Sequence, residues 1–468
     1  MILENARLGD RVVDLRIENG VITEIGSLGG GDLDLEGRWL SPGLWDHHVH
    51  FTQWALHSQR VDLSTATSAA HAAALVGQAI AAGASGLVIG GGFRDSLWAD
   101  APSLAALDAV SAEAPVVLVS QDLHAAWLNS AALAVYGHHG HATGLLTEDD
   151  AFRVTGALGA FPVETMDAWA RAAAADAARR GVVGIVDLEM AWNLGDWTRR
   201  VAAGHDLLRV QFGVYTNDLD RAIDEGLHTG QRIDDLLSFG HFKVLTDGSL
   251  NTRTAYTHDD YPDGGHGVLT VPTDELVPLM RKASAAGILP TVHAIGDHAN
   301  TLALDAFAAV GTPGRIEHAQ LLSPSDYPRF AELGVEASVQ PEHAMDDRDV
   351  ADRLWAGRTG STYAFRSLLD AGATLVFGSD APVTPLDPWI GIAAAVTRAR
   401  DGREPWHPEQ RISNVEALAA STRTTIAVGQ RADLIATDLD PLTTTGDALR
   451  TMPVAVTLLG GRITHDGR

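Results

Sequence analysis

Apolar and polar residues alternate from Val12 to Ile25 (VVDLRIENGVITEI), interrupted by Asn19-Gly20. A period of two is that of a half-buried strand, and Asn-Gly supplies the positive φ angles of a tight turn, so the segment predicts a β-hairpin. The far end of the chain behaves alike: Arg431 to Thr437 (RADLIAT) and Val454 to Ile463 (VAVTLLGGRI) read as strands, with Gly460-Gly461 as a turn. Neither end can bury a face by itself. The two ends are therefore expected to pair into one small β-sandwich module, residues 1–41 with 425–468.

Between them runs a different rhythm, in which an Ala-rich amphipathic helix ends at a Gly and an apolar strand follows at once. It recurs in ARRGVVGIVD, SAAGILPTVH, FAELGVEASVQ and LDAGATLVFGSD, with the Gly where a helix end calls for a left-handed residue. Helices alternating with buried strands imply parallel βαβ units. Strands are expected near 42–48, 182–188, 207–215, 240–246, 288–293, 314–318, 334–340 and 373–379, and eight such units close a (β/α)₈ TIM-like barrel over 42–424. The long gap after the first strand has strands and helices of its own, Gly86 to Ile89, Pro115 to Ser120 and Ser68 to Ala82, and predicts an inserted subdomain over 51–180 beside the barrel mouth.

Composition narrows the partners. Of 468 residues 46% are hydrophobic and 20% charged, enough for a large core, and 34 Lys and Arg against 60 Asp and Glu leave a net charge of −26. That charge repels phosphate backbones and anionic bilayers, so a small-molecule substrate is expected rather than nucleic acid or a membrane, and a homodimer stays open. The first residues carry neither a basic leader nor an apolar stretch, which predicts a cytoplasmic protein. Without cysteine there is no disulfide, thiolate ligand or thiol nucleophile. Metal or hydrolytic chemistry falls to His, Asp, Glu and Lys.

The first predicted strand ends in PGLWDHHVH, residues 42–50. Side chains at i and i+2 of a strand share a face, so His48 and His50 present two imidazoles to one ion. That pair means little alone, but other strand ends carry Lys243, His293, His318 and Asp380, and metal ligands in a barrel sit at the C-terminal ends of several strands.

The chain at this point resembles the amidohydrolase superfamily, and within it the N-substituted formamide deformylase-like (amidohydrolase 3) branch. The resemblance rests on PGLWDHHVH at 42–50, DLHAAWLNSAAL at 122–133, FKVLTDGSLNTRTA at 242–255, VHAIGDHA at 292–299, RIEHAQ at 315–320, SVQPEH at 338–343, GSDAPV at 378–383 and GQRADLI at 429–435. It implies that His48, His50 and Asp380 hold the more buried of two metals, that His293 and His318 hold the more exposed one, and that Lys243 bridges both as a carbamate. Zinc is the expected metal, with Fe, Mn or Ni as substitutes. The sequence departs from the pattern at His47, where a small residue is usual, and at Asn251, where Gly is common. Strand alternation predicts that His47 points away from His48 and packs.

That inventory implies a metal-dependent hydrolase acting on a C–N bond of an amide, formamide or cyclic amide. A metal-bridging hydroxide attacks the carbonyl, and Asp380 shuttles the proton to the leaving nitrogen. Asp46 is a candidate to orient a ligand, against a cap or surface role. Candidate substrate contacts are His124, Arg253 and His343, ahead of Trp127 and Asn129; Trp45 and Trp54 read as core. One rival keeps the fold but makes the enzyme a mononuclear deaminase of a ring C–NH₂ group, which expects a Glu soon after His293 and no bridging Lys. Another is a metal-free scaffold, which loses ligands that this chain retains.

Overall fold

The computed structural model describes residues 1–84, 86–95, 98–111, 113–120, 125–158, 161–262 and 264–468, without the side chains of 148 and 152. The chain divides into two compact units, residues 1–54 with 174–468, and residues 55–173.

The larger unit holds a barrel of eight parallel strands: β1 (Leu44–Val49), β2 (Val182–Asp187), β3 (Arg209–Tyr215), β4 (Leu237–Leu245), β5 (Pro290–Ala294), β6 (Gly314–His318), β7 (Val335–Val339) and β8 (Leu375–Phe377). They pair in chain order from β1 to β8. These are the strands that the helix–Gly–strand rhythm predicts. Gly181, Gly287, Gly334 and Gly372, which end the helices before β2, β5, β7 and β8, have φ of 84°, 75°, 65° and 84°. A side chain at such angles costs about 1 kcal/mol or more, which is why the pattern is written with Gly.

The ring closes between β8 and β1. The Asp380 amide donates to the His48 carbonyl at 2.7 Å and the His50 amide to the Ala381 carbonyl at 2.8 Å. Gly378 allows this approach, because a Cβ there would lie 2.5 Å from the His48 Cβ.

Strands from the two ends of the chain hydrogen-bond in one sheet of the same unit. Its order is Arg462–Asp466, Val454–Leu459, Leu434–Thr437, Trp39–Pro42, Ile2–Leu8, Arg11–Glu18 and Val21–Gly26, with Leu33–Asp34 beside Ile2–Leu8. Asn19 and Gly20 turn the predicted hairpin with φ of 52° and 78°. Leu3, Leu15, Ile22, Leu434, Val456 and Leu458 fill a sandwich-type core. The architecture is thus a TIM-like barrel plus a strand-rich sandwich module.

The smaller unit carries a five-stranded sheet, Leu145–Thr147, Ala125–Leu128, Val116–Ser120, Val88–Phe93 and Val61–Asp62 in spatial order. The predicted helix beside it runs Ala69–Ala81, with the Ser68 hydroxyl accepting from the His71 amide. Among the described residues no helix is long and apolar enough to cross a membrane.

Candidate metal centre

His48, His50, His293, His318 and Asp380 come together at the ends of the barrel strands. Ligand atoms of His48, His318 and Asp380 lie within 4.8 Å of one another. The His48 and His50 rings are 5.5 Å apart, and the His318 ring is 5.3 Å from His48 and 4.4 Å from His293. Asp380 Oδ1 approaches His48 Nε2 at 3.3 Å and His50 Nε2 at 3.4 Å. Two of these residues hold backbone angles that non-glycine residues avoid, with φ of 76° at His318 and 56° at Asp380. Such strain persists only where surrounding structure enforces it, and functional sites are where it gathers.

Burial sets the protonation states. It pushes His293 down to about 3 and His318 well below the ordinary imidazole range, where the neighbouring His293 adds to the effect. Burial lowers His48 too, against the pull of Asp380. His50 is the exception: burial opposes its protonation, but the hydrogen bond to Asp380 prevails and raises it. Burial also works against the Asp380 carboxylate, yet the charge of His48 and the hydrogen bond with His50 hold its pKa well below the usual range. His48, His293 and His318, held toward the neutral form beside an anionic carboxylate, offer the kind of donors a divalent cation takes.

Lys243 completes the group. Its side chain is buried, its Nζ has no hydrogen-bond partner among the described residues, and desolvation lowers its pKa to about 8 although Glu317 and Asp380 favour the cation. Asp247, the simplest candidate for an ion-pair partner, is committed elsewhere. It accepts from the amides of Tyr256, Ile295 and Gly296 at 2.9, 3.0 and 2.9 Å, and pins the ends of β4 and β5 together.

Several site residues carried no role in the sequence reading. Glu317 is fully buried, accepts from the Thr291 hydroxyl at 3.0 Å, and lies 2.9 Å from His48 Nδ1. A carboxylate accepting from Nδ1 would leave the Nε2 lone pair free for a cation. The Gln340 carboxamide nitrogen is 3.2 Å from the same atom. Tyr215, at the end of β3, donates to the Leu188 carbonyl at 2.7 Å, and its pKa is raised by burial, then by the charges of Asp380 and Glu189. Glu317 stands next to His318 in RIEHAQ, and strand ends at β3 and β7 were the signal for the other two.

The remaining candidates separate. His343 is buried, its Nε2 is unpartnered, and its ring stacks 6.2 Å from His318. Arg253 is exposed, with φ of 57°. His124 lies outside the described residues. Trp127 is core and Asn129 caps a helix while bonding the Ser111 and Ala114 carbonyls. Trp45 is buried. Asp46 is buried, neither cap nor surface: it accepts from the amides of His48 at 3.1 Å and Ser379 at 2.9 Å, and so joins β1 to the loop after β8. His47 bonds the Phe377 carbonyl and Arg423 at 3.1 Å each, sharing neither with His48. Asn251 donates to Asp347.

Comparison with known proteins agrees with this geometry. The chain is 30% identical to Protein LONG AFTER FAR-RED 3 of Arabidopsis thaliana, covering 87% of this chain and 79% of that one. It is 26% identical to the N-substituted formamide deformylase of Arthrobacter pascens, over 96% and 92% of the two chains. An uncharacterized metal-dependent hydrolase from Pyrococcus horikoshii OT3 superimposes with a TM-score of 0.77 at 25% identity, covering 95% of this chain and 98% of the other. The model of the Amidohydrolase family matches residues 33–465. A barrel with histidine and aspartate at its strand ends, matched along nearly its whole length, belongs to the Amidohydrolase family, and the protein is a metal-dependent amidohydrolase.

Proposed function

We propose that the protein hydrolyses a carbon–nitrogen bond of an amide, formamide or cyclic amide at a pair of divalent metals bridged by carboxylated Lys243. The observation that carries this reading is the Lys243 amine, buried without a hydrogen-bond partner among groups arranged to face a cation. An amine whose pKa falls to about 8 is partly neutral near physiological pH and able to capture CO₂, and the resulting carbamate supplies two oxygens. His48, His50 and Asp380 would hold one metal and His293 and His318 the other. With nitrogen and oxygen donors and no thiol, zinc is the first choice, and Fe, Mn or Ni are substitutes. When bound, such metals supply hydroxide near neutral pH and polarise a carbonyl.

The chain's own residues do the rest. Asp380 turns Oδ1 toward the two β1 imidazoles, leaving Oδ2 to take a proton from the attacking water and return it to the leaving nitrogen. Glu317 keeps the His48 ring in one tautomer. His343, with its unpartnered Nε2, is placed to donate to a substrate oxygen, and Arg253 and His124 remain candidates for the substrate's outer part. The formamide specificity in the name of the Arthrobacter relative supports the C–N assignment.

The test is a hydrolysis screen of the metal-loaded enzyme across N-formyl amines, N-acyl amino acids, cyclic amides, carbamates and esters, with ring amines alongside and metal counted per chain. Turnover of a C–N substrate with two metals per chain is expected. Release of ammonia from ring amines by a one-metal enzyme would replace this reading with the deaminase one.

A further inference from the structure

A cavity of about 500 Å³ lies at the opposite end of the barrel, where β1, β3 and β4 begin and the segment into strand Leu434–Thr437 passes beneath them. In a chain of net charge −26 it gathers four arginines, Arg209, Arg232, Arg423 and Arg431. Two are neutralised within the protein. Arg209 grips Asp433 with two hydrogen bonds, 2.7 Å from Nε and 3.0 Å from Nη2, and Arg232 pairs with Asp235.

The other two line the cavity with no ion pair at contact distance among the described residues, although Glu336 acts on Arg423 and Asp433 on Arg431 from farther off. Arg423 donates to two neutral acceptors, Nε to His47 Nε2 at 3.1 Å and Nη2 to Gln211 Oε1 at 3.0 Å, while its guanidinium lies 3.9 Å from the Trp45 ring centroid. Burial, and after it the charge of Arg315, brings its pKa down to about 9. Arg431 is exposed to solvent, and burial and then Arg209 lower its pKa as well. A guanidinium carries five donors in a planar fork suited to carboxylate or phosphate oxygens. Two such forks on one cavity of ligand-binding size, each next to other cations, leave a charge that an anion would relieve. Asp234 is the carboxylate on the wall with no arginine partner, and it turns one oxygen to the Leu236 amide.

We propose that this cavity, with Arg423 and Arg431 on its wall, is a binding site for a small oxyanion, a carboxylate or phosphate group, separate from the metal centre. It is tested by calorimetric titration of the metal-loaded enzyme, at fixed ionic strength, with inorganic phosphate in one arm and succinate in the other. Saturable one-to-one binding of at least one anion is expected, and the arm that binds identifies the group. Arg431→Gln should weaken it at least about tenfold, as the loss of charge-assisted hydrogen bonds does. Arg423→Gln should do the same, and since Arg431 is exposed its replacement carries the test even if Arg423→Gln fails to fold. Binding should survive in Asp380→Asn, which disables the metal end. Absence of saturable binding in both arms, unchanged affinity in the folded arginine variants, or loss in Asp380→Asn would overturn the proposal.

Discussion

The two ends of the barrel bury ionisable groups in different ways. At the N-terminal ends of the strands Arg315 donates to Glu336 at 3.0 and 2.6 Å, and Arg209 is matched by Asp433. At the C-terminal ends Lys243 Nζ, His50 Nδ1, His318 Nδ1 and His343 Nε2 have no hydrogen-bond partner among the described residues. Burying a polar atom without a partner costs about 1–3 kcal/mol, more for a charge. At the first end the buried arginines of the barrel wall are matched by carboxylates, and charge stays open only at the cavity rim; at the second, buried donors of the barrel interior itself are left open. Polarity alone does not mark a site. Unanswered polarity does.

The contrast can be attacked from its strongest side first. His48→Ala should remove both metal content and turnover, a fall of at least about 10³-fold in kcat/KM; measurable activity in a metal-poor His48→Ala protein would place the chemistry elsewhere. Lys243→Ala should lose one metal equivalent and most activity, with partial rescue by short carboxylic acids. The same lysine gives a pH test. Because its folded pKa of about 8 lies below the usual lysine value, the unfolded chain binds more protons between them, so the metal-free protein should gain stability as pH rises from about 8 to 10. A flat denaturation midpoint across that window would count against it.

Glu317→Gln sharpens the comparison, because it keeps shape but loosens the hold on His48 Nδ1. Metal affinity should fall about 10–100-fold, with activity recovered at saturating metal. The smallest functional effect belongs to the quiet end. Arg209→Ala should cost about 3 kcal/mol of stability by stranding Asp433, with kcat per bound metal unchanged within about twofold; a denaturant titration and a metal-normalised assay read the two separately.

The barrel was legible because its strands are buried on both faces and its helices end in glycine, two signals that are local in sequence. The candidate ligands could be picked out for the same reason, each sitting at or near a strand end. Glu317 was not, since its role comes from a contact with His48 across the barrel, and nothing in RIEHAQ says which way that carboxylate turns. Asp46 likewise read as ambiguous because its partners, the amides of His48 and Ser379, meet only when β1 and β8 close. Arg423 gave no signal at all: its meaning lies in which acceptors surround it, a property of tertiary structure.

The seam at Gly378 and His48 also sets a schedule. Two of the six candidate ligands, His48 and His50, are near the start of the chain and the other four come after its midpoint, and the first strand has no closing neighbour until the last is made. At roughly 5–20 residues synthesised per second, tens of seconds separate His48 from Asp380 on the ribosome. During that interval the β1 histidines are loose donors without a cage, free to pick up whichever ion is at hand. The full set of candidate donors comes together only when the seam closes.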